Sequence, residues 1–362
     1  MAKYEPKSLR NVAIVGHGNT GKTTLCESIL FVSGKTDRPG RVDEGTSSLD
    51  FEPEEQKRRI SIGAAVTFVE WNKHKVNLID TPGDSSFSFD TKNCLRIADS
   101  ALIVVDSVGG VEFQTEAVWE YADEFQLPRM IYISRMDRER ADFPKALESI
   151  RTKLGRKATP LVLPIGQEAG FKGVVDLLAM KALLFDDSKG AAKAADIPAD
   201  LLPEAEKYRE SLVEDIAESD EALMNKYLEG GTLSPEELNA ALRKAVLSCS
   251  ILPVACGAPL QNIAVVNLLD ILTACLPSPV DRGPVKGKKP GNGEIEERRP
   301  DPAEPFSALV FKTIADPYAG KLTLFRVYSG KTTADAGLYN PSKKIHERVG
   351  SLFFLEGKTQ KT

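Results

Sequence analysis

Three short clusters in this chain have residue types and spacing suited to phosphate and purine chemistry. The first is Gly16-His17-Gly18-Asn19-Thr20-Gly21-Lys22-Thr23-Thr24, which fits G-x-x-x-x-G-K-[ST]. Glycines at these positions let backbone amides converge on phosphate oxygens at the positive end of a helix. Lys22 is expected to reach the β- and γ-phosphates, and the Thr23 hydroxyl to hold Mg²⁺. The second cluster is Asp80-Thr81-Pro82-Gly83. A carboxylate there can hold Mg²⁺ opposite the phosphate loop, while the Gly83 amide can sense a γ-phosphate. The third is Ser134-Arg135-Met136-Asp137. A carboxylate at position 137 can accept both N–H donors of a guanine edge. Adenine lacks that donor pair, so Asp137 would set base choice, with the stem of Arg135 over the base plane.

Each cluster needs a rigid element to aim it. Asn11–Val15 is an apolar run ended by Gly16, followed by Leu25, Ile29 and Val32 at helical spacing. This predicts strand, Gly-rich turn, helix. Asp80 and Ser134 follow further apolar runs, 75–79 and 129–133, and 66–71, 101–105 and 251–255 also read as strands. Helical stretches near 86–98 and 113–126 lie between them. Strands alternating with helices predict an α/β fold: a P-loop, doubly wound, mostly parallel sheet that binds ligands at its strands' carboxyl ends. Residues 34–60 are polar and read as a long surface loop. Residues 158–250 interrupt the rhythm and read as an insertion, with 190–199 a loop. Ser234-Pro235-x-Glu237 within it is a helix-starting capping box. The Pro- and Gly-rich stretch 283–303 reads as a linker. Residues 304–362 read as the start of a β-barrel, too short for a whole all-β domain. The expected divisions are 1–282, 283–303 and 304–362.

Composition narrows the classes. Lys plus Arg total 47 against 52 Asp plus Glu, a net charge of -5, so a chain coated in basic charge is excluded and no direct DNA binding is expected. No apolar run approaches the roughly 20 residues of a membrane span, and Met1–Arg10 has no apolar core of a signal peptide. The five Cys form no C-x-x-C pair and read as buried thiols, which fits a reducing, cytoplasmic setting. Lys57-Arg58-Arg59 reads as a solvated face, and His17 as a packing residue of the phosphate loop.

Taken together and in this order, the clusters resemble the translational GTPases, and among them elongation factor G most. The resemblance runs from about Lys7 to Glu356. It includes Pro253-Val-Ala-Cys-Gly257, Leu276-Pro-Ser-Pro279, Phe311-Lys312, Ala315-Asp-Pro-Tyr318 and Arg326-Val-Tyr-Ser-Gly330. The resemblance implies a GTP- and Mg²⁺-dependent switch working on the ribosome. It also implies that the insertion is the family's extra subdomain, that Gly257 and Ala258 line the base, and that Ser61 offers a hydroxyl to Mg²⁺ in the triphosphate state. Asn19 stands where the family has Asp; either can ligate a monovalent cation.

The departures from the family pattern carry expectations of their own. Asp84 occupies the position of the family His that orients the attacking water. An ionised carboxylate there repels charge growing on the phosphoryl group, so hydrolysis is expected to be impaired. Lys22 and Asp84 are the residues expected nearest the chemistry. Ser134 and Arg135 replace an Asn-Lys pair, which predicts weaker but still guanine-selective binding. Ala258-Pro259 replaces Ser-Ala, and Pro259 has no N–H to give. Two further readings stay open beside the switch: a nucleotide-binding regulatory module without useful hydrolysis, and a P-loop ATPase in which Asp137 is coincidental. The family's other domains are not part of the chain's 362 residues.

Overall fold

The computed structural model describes residues 4–155, 157–185, 189–231, 233–316 and 320–361. β1 (Leu9–Val15) leads through the Gly-rich turn into α1 (Lys22–Val32). After α2 (Pro53–Arg58), β2 (Ala65–Trp71) and β3 (His74–Asp80) pair antiparallel. Then come α3 (Ser88–Ile97), β4 (Ser100–Asp106), α4 (Phe113–Glu124), β5 (Arg129–Ser134), α5 (Phe143–Leu154) and β6 (Ala158–Pro160). The next stretch holds β7 (Val162–Ile165), β8 (Gly173–Asp176), β9 (Lys181–Leu184), β10 (Lys193–Ala195), α6 (Leu202–Ala217), α7 (Glu221–Leu228) and α8 (Pro235–Leu247). β11 (Leu252–Cys256), α9 (Val265–Cys275) and α10 (Pro279–Arg282) return to the main body.

The central sheet runs β2-β3-β1-β4-β5-β11-β6, parallel except for edge strand β2. Every residue of β4 and β5 is buried. That is why they read as unbroken apolar runs: helices cover both faces of the sheet. β1 lies between β3 and β4, so the turns after β1 and β3 open side by side at one edge of the sheet. The Ser234 capping box forms as its spacing predicts, with the Ser234 Oγ accepting from the Glu237 N–H at 3.2 Å.

Four expectations need correcting. β6 pairs with β11 at the rim of the central sheet, so the sheet claims 158–160. A three-residue strand has no local signal; its partner lies far along the chain. The following strands form a separate antiparallel sheet, β10-β9-β8-β7, and Lys193–Ala195 is a strand within the stretch expected to be a loop. The expected linker holds a hairpin, β12 (Val285–Lys288) against β13 (Ile295–Arg298). Both strands are largely exposed, so no apolar alternation marked them. Residues 34–60 are not a loose surface loop. Ser47, Leu49, Asp50 and Glu55 within them are all buried, and Leu49 joins the core.

The C-terminal part is antiparallel. β14 (Ser307–Asp316) pairs with β15 (Gly320–Ser329), β16 (Gly337–Asn340) with β17 (Ile345–Arg348), and β18 (Phe354–Glu356) with β19 (Thr359–Lys361). Among the described residues these stay separate two-stranded ladders. Pro317 and Tyr318 of the quoted resemblance lie outside the described residues. The β segment touches the sheet body through Lys312 Nζ, 2.7 Å from Asp90 Oδ2, and through the Arg326–Asp99 pair. All five cysteines are free thiols; Cys249 is half-buried and the other four are buried. No described helix is long and apolar enough to cross a membrane.

Gly16 shows how tightly this frame holds the site. Its φ is +145°, and a Cβ added there would lie 2.3 Å from the Val104 carbonyl oxygen of β4. Gly16→Ala must therefore push β1 and β4 apart. The expected cost is about 2–4 kcal/mol, read as a lower urea midpoint at unchanged slope.

Candidate functional site

Gly21 caps α1 in the left-handed conformation (φ +91°) and supplies no side-chain acceptor to the first turn. The leading N–H groups of α1 therefore keep their pull on an anion. Lys22 is buried, and its Nζ donates to the His17 carbonyl at 2.7 Å, across the mouth of the turn. Burial lowers its pKa, opposed by the nearby Asp80 carboxylate. A polyanion arriving there would favour the charged form further. Thr20 Oγ1 also donates to the His17 carbonyl, at 3.0 Å, which folds the turn on itself. His17 Nε2 lies 3.4 Å from Glu112 Oε2.

The second turn packs directly on the first. A Cβ at residue 83 would lie 2.2 Å from Lys22 Nζ and 2.8 Å from the Gly18 nitrogen and the His17 oxygen. Gly83→Ala is therefore expected to displace Lys22. Affinity for a nucleoside triphosphate should fall by about tenfold, the scale of one charge-assisted hydrogen bond, with melting temperature little changed; titration with a fluorescent analogue checks it. Thr81 is buried and donates from Oγ1 to the Ile14 carbonyl at 2.8 Å, which ties this turn to β1. Pro82 accepts from Thr91 Oγ1 at 3.0 Å.

Between the turns lies a set of hard oxygens. Thr23 Oγ1 and Ser61 Oγ are 3.0 Å apart. Asp80 and Asp50 are buried beside them, and Asp80 Oδ1 and Asp50 Oδ2 have no partner. Burial pushes the Asp80 carboxyl up, and the neighbouring Asp50 charge pushes it further. Burial likewise raises Asp50 to about 6, while a hydrogen bond with Ser61 pulls it down. Buried carboxylate oxygens without a protein partner are free to ligate a cation. Two hydroxyls and two carboxylates fit Mg²⁺, which takes few protein ligands and completes its shell with phosphate and water. Among the described residues no three His, Cys, Asp or Glu gather as a metal cluster, so phosphate would have to supply part of the shell. Sequence reading missed Asp50. Its one signal was position: it sits between Leu49 and Phe51, two of the few apolar residues of a polar stretch.

Asp84 does not point its chemistry at this cluster. It is exposed, and its Oδ1 accepts from the Ser86 N–H at 2.8 Å, capping a 3-10 turn at Ser85–Phe87. That hydrogen bond holds its pKa below the usual value, so it is ionised near neutral pH.

On the base side, Arg135 sits at φ +62° with Nη1 3.3 Å from Asp106 Oδ2. Its Nε would be 3.6 Å from a Cβ on Gly21, so the guanidinium borders the phosphate turn. Ser107 Oγ donates to the Arg135 carbonyl at 2.8 Å, and the Met136 N–H to the Gly257 carbonyl at 3.2 Å. These contacts brace the loop without the family's Asn amide. Ser134 Oγ is buried without a partner. Asp137 is half-buried beyond this brace. Ala258 offers no free amide, because its N–H donates to the Ile263 carbonyl at 3.1 Å. With Pro259 lacking an N–H, this strand end gives a base less than the resemblance implied.

Comparison with known proteins agrees with this geometry. A crystal structure of a protein from Thermus thermophilus superposes with a TM-score of 0.85 at 32% sequence identity. The match covers 98% of this chain and 50% of that one, so the chain spans about half the length of its relative. Residues 7–278 match the family of the elongation factor Tu GTP binding domain. With that match across most of its length, the chain belongs to the translational GTPases.

Proposed function

We propose that this chain binds Mg²⁺·GTP between its first two turns and serves as a ribosome-linked switch resembling elongation factor G, in the cytoplasm. Residues 1–282 form the nucleotide domain, with the insertion to about 250 as a subdomain. Residues 283–303 connect it to a β segment that docks with it on the ribosome. The observation that carries this reading is the Thr23–Ser61 hydroxyl pair at 3.0 Å beside the unpartnered oxygens of Asp50 and Asp80.

Lys22 and the amides of Gly18–Thr24 hold the phosphates, and Gly83 reports the γ-phosphate by its contact with Lys22. Thr23 and Ser61 offer hydroxyls to Mg²⁺, with Asp80 and Asp50 behind them. Bound Mg²⁺ would neutralise charge on the β- and γ-oxygens. Asp137 reads guanine, and Arg135, tethered by Asp106, covers the base.

A second reading, a regulatory nucleotide module without useful hydrolysis, is favoured by one observation: Asp84 is occupied in capping its own turn. Competition of ATP against labelled GTP, followed by single-turnover hydrolysis with and without ribosomes, separates the possibilities. Selective GTP binding with ribosome-stimulated turnover supports the switch, and GTP binding without turnover supports the module. Equal affinity for ATP and GTP would contradict both.

A further inference from the structure

The Glu27 side chain, outside loop 36–52, holds it through residues 40–49. Glu27 lies on α1, one turn after Thr23 and on the same face. It is 1% exposed, on a helix otherwise packed into the core. Its Oε1 accepts from Ser47 Oγ at 2.7 Å, the Ser48 N–H at 2.6 Å, Ser48 Oγ at 2.9 Å and the Leu49 N–H at 3.2 Å. Its Oε2 accepts from the Gly40 N–H at 3.2 Å. A buried carboxylate is costly unless donors surround it, and all five donors here come from residues 40–49.

The network continues to the metal-side hydroxyls. Ser47 Oγ accepts from the Asp50 N–H at 3.1 Å, and the buried Asp50 carboxylate lies near enough to the Ser61 hydroxyl for that hydroxyl to lower its pKa. Ser61 Oγ meets Thr23 Oγ1, which returns the chain of contacts to α1. Glu55 steadies the far side, its Oε1 accepting from the Ile62 and Gly63 N–H groups at 2.9 and 3.0 Å. Two residues of one helix, a turn apart, thus meet this region: Glu27 holds residues 40–49, and Thr23 meets Ser61 beyond them.

We propose that Glu27 is a positioning residue for the nucleotide site: it fixes residues 40–50 on α1 and so presents Asp50 and Ser61 to Thr23. This rests on the reading of the site as one for Mg²⁺·GTP. A side chain that only stabilised the fold would affect all ligands alike. Glu27 instead sets the arrangement in which the Ser61 hydroxyl is available, so it favours the triphosphate over the diphosphate.

The test uses the full chain and its Glu27→Gln variant, which keeps size and removes charge. Gln offers donors where the loop also offers donors. Amide exchange at residues 40, 48 and 49 should quicken at least tenfold in the free protein. In titrations with GDP and a slowly hydrolysed GTP analogue in Mg²⁺, the preference for triphosphate should fall by about tenfold, with GDP affinity within twofold of wild type. Ser47→Ala removes the link to Asp50 and one of the five donors to Glu27 while leaving the Glu27 carboxylate in place, and should act in the same direction by about threefold; it serves if Glu27→Gln fails to fold. Unchanged exchange, or equal weakening of both nucleotides, overturns the proposal. A wild type that binds neither nucleotide overturns the underlying reading instead, and the exchange measurement still decides whether Glu27 holds the loop.

Discussion

Asp84→His is expected to raise ribosome-stimulated GTP turnover by about ten- to a hundredfold, the usual worth of a well-placed proton-transfer or orienting group. The cause is charge. In the wild type an ionised carboxylate stands just after Gly83, which itself packs on Lys22. Any position Asp84 takes near the γ-phosphate adds repulsion as negative charge develops in the transition state. A neutral imidazole orients water without that penalty. The substitution removes the cap on the Ser85–Phe87 turn, so Asp84→Asn is the control. Asn retains a capping oxygen and removes the charge, so it should give a smaller gain by relieving repulsion alone. Nucleotide affinity should change little in either variant. Wild-type turnover as fast as that of Asp84→His would contradict this account.

Asp137→Ala is expected to weaken GTP binding by about two to three orders of magnitude, the loss of two hydrogen bonds to one ionised acceptor. ATP binding, weak to begin with, should stay where it was. Base selectivity would therefore collapse from the GTP side alone. The brace around residue 137 uses the Met136 N–H, the Arg135 carbonyl and Ser107, not the Asp137 side chain. The variant should thus melt near the wild-type temperature. Isothermal titration with both nucleotides, beside a thermal melt, checks all three parts. A drop of less than threefold in GTP affinity would mean that another group reads the base.

The parts of this site that were legible in the sequence are those dictated by local patterns. β1, Gly16 and α1 are written as an apolar run, a break and a 3.6-residue period, because burial on both faces of the sheet demands them. The three clusters at strand ends were legible for the same reason. What stayed hidden depends on distant partners. Asp50 and Glu27 are ordinary acids in the sequence; only the fold brings a loop down on α1, surrounding Glu27 with donors and burying Asp50. Leu49 seats in the core alone, without a neighbour to form a period. β6 is three residues whose meaning lies in β11. The hairpin of β12 and β13 is largely exposed on both faces, so its composition resembles a linker. The loss of the Ala258 amide to Ile263 is likewise a tertiary event that no motif records.

A crystal structure of the chain grown with Mg²⁺ and a non-hydrolysable GTP analogue tests the central claim most directly. The account predicts phosphate oxygens on the amides of residues 18–24, Mg²⁺ touching Thr23 Oγ1, and the guanine N1 and N2 donors on the Asp137 carboxylate. An empty Gly-rich turn, or a purine bound away from Asp137, would contradict it.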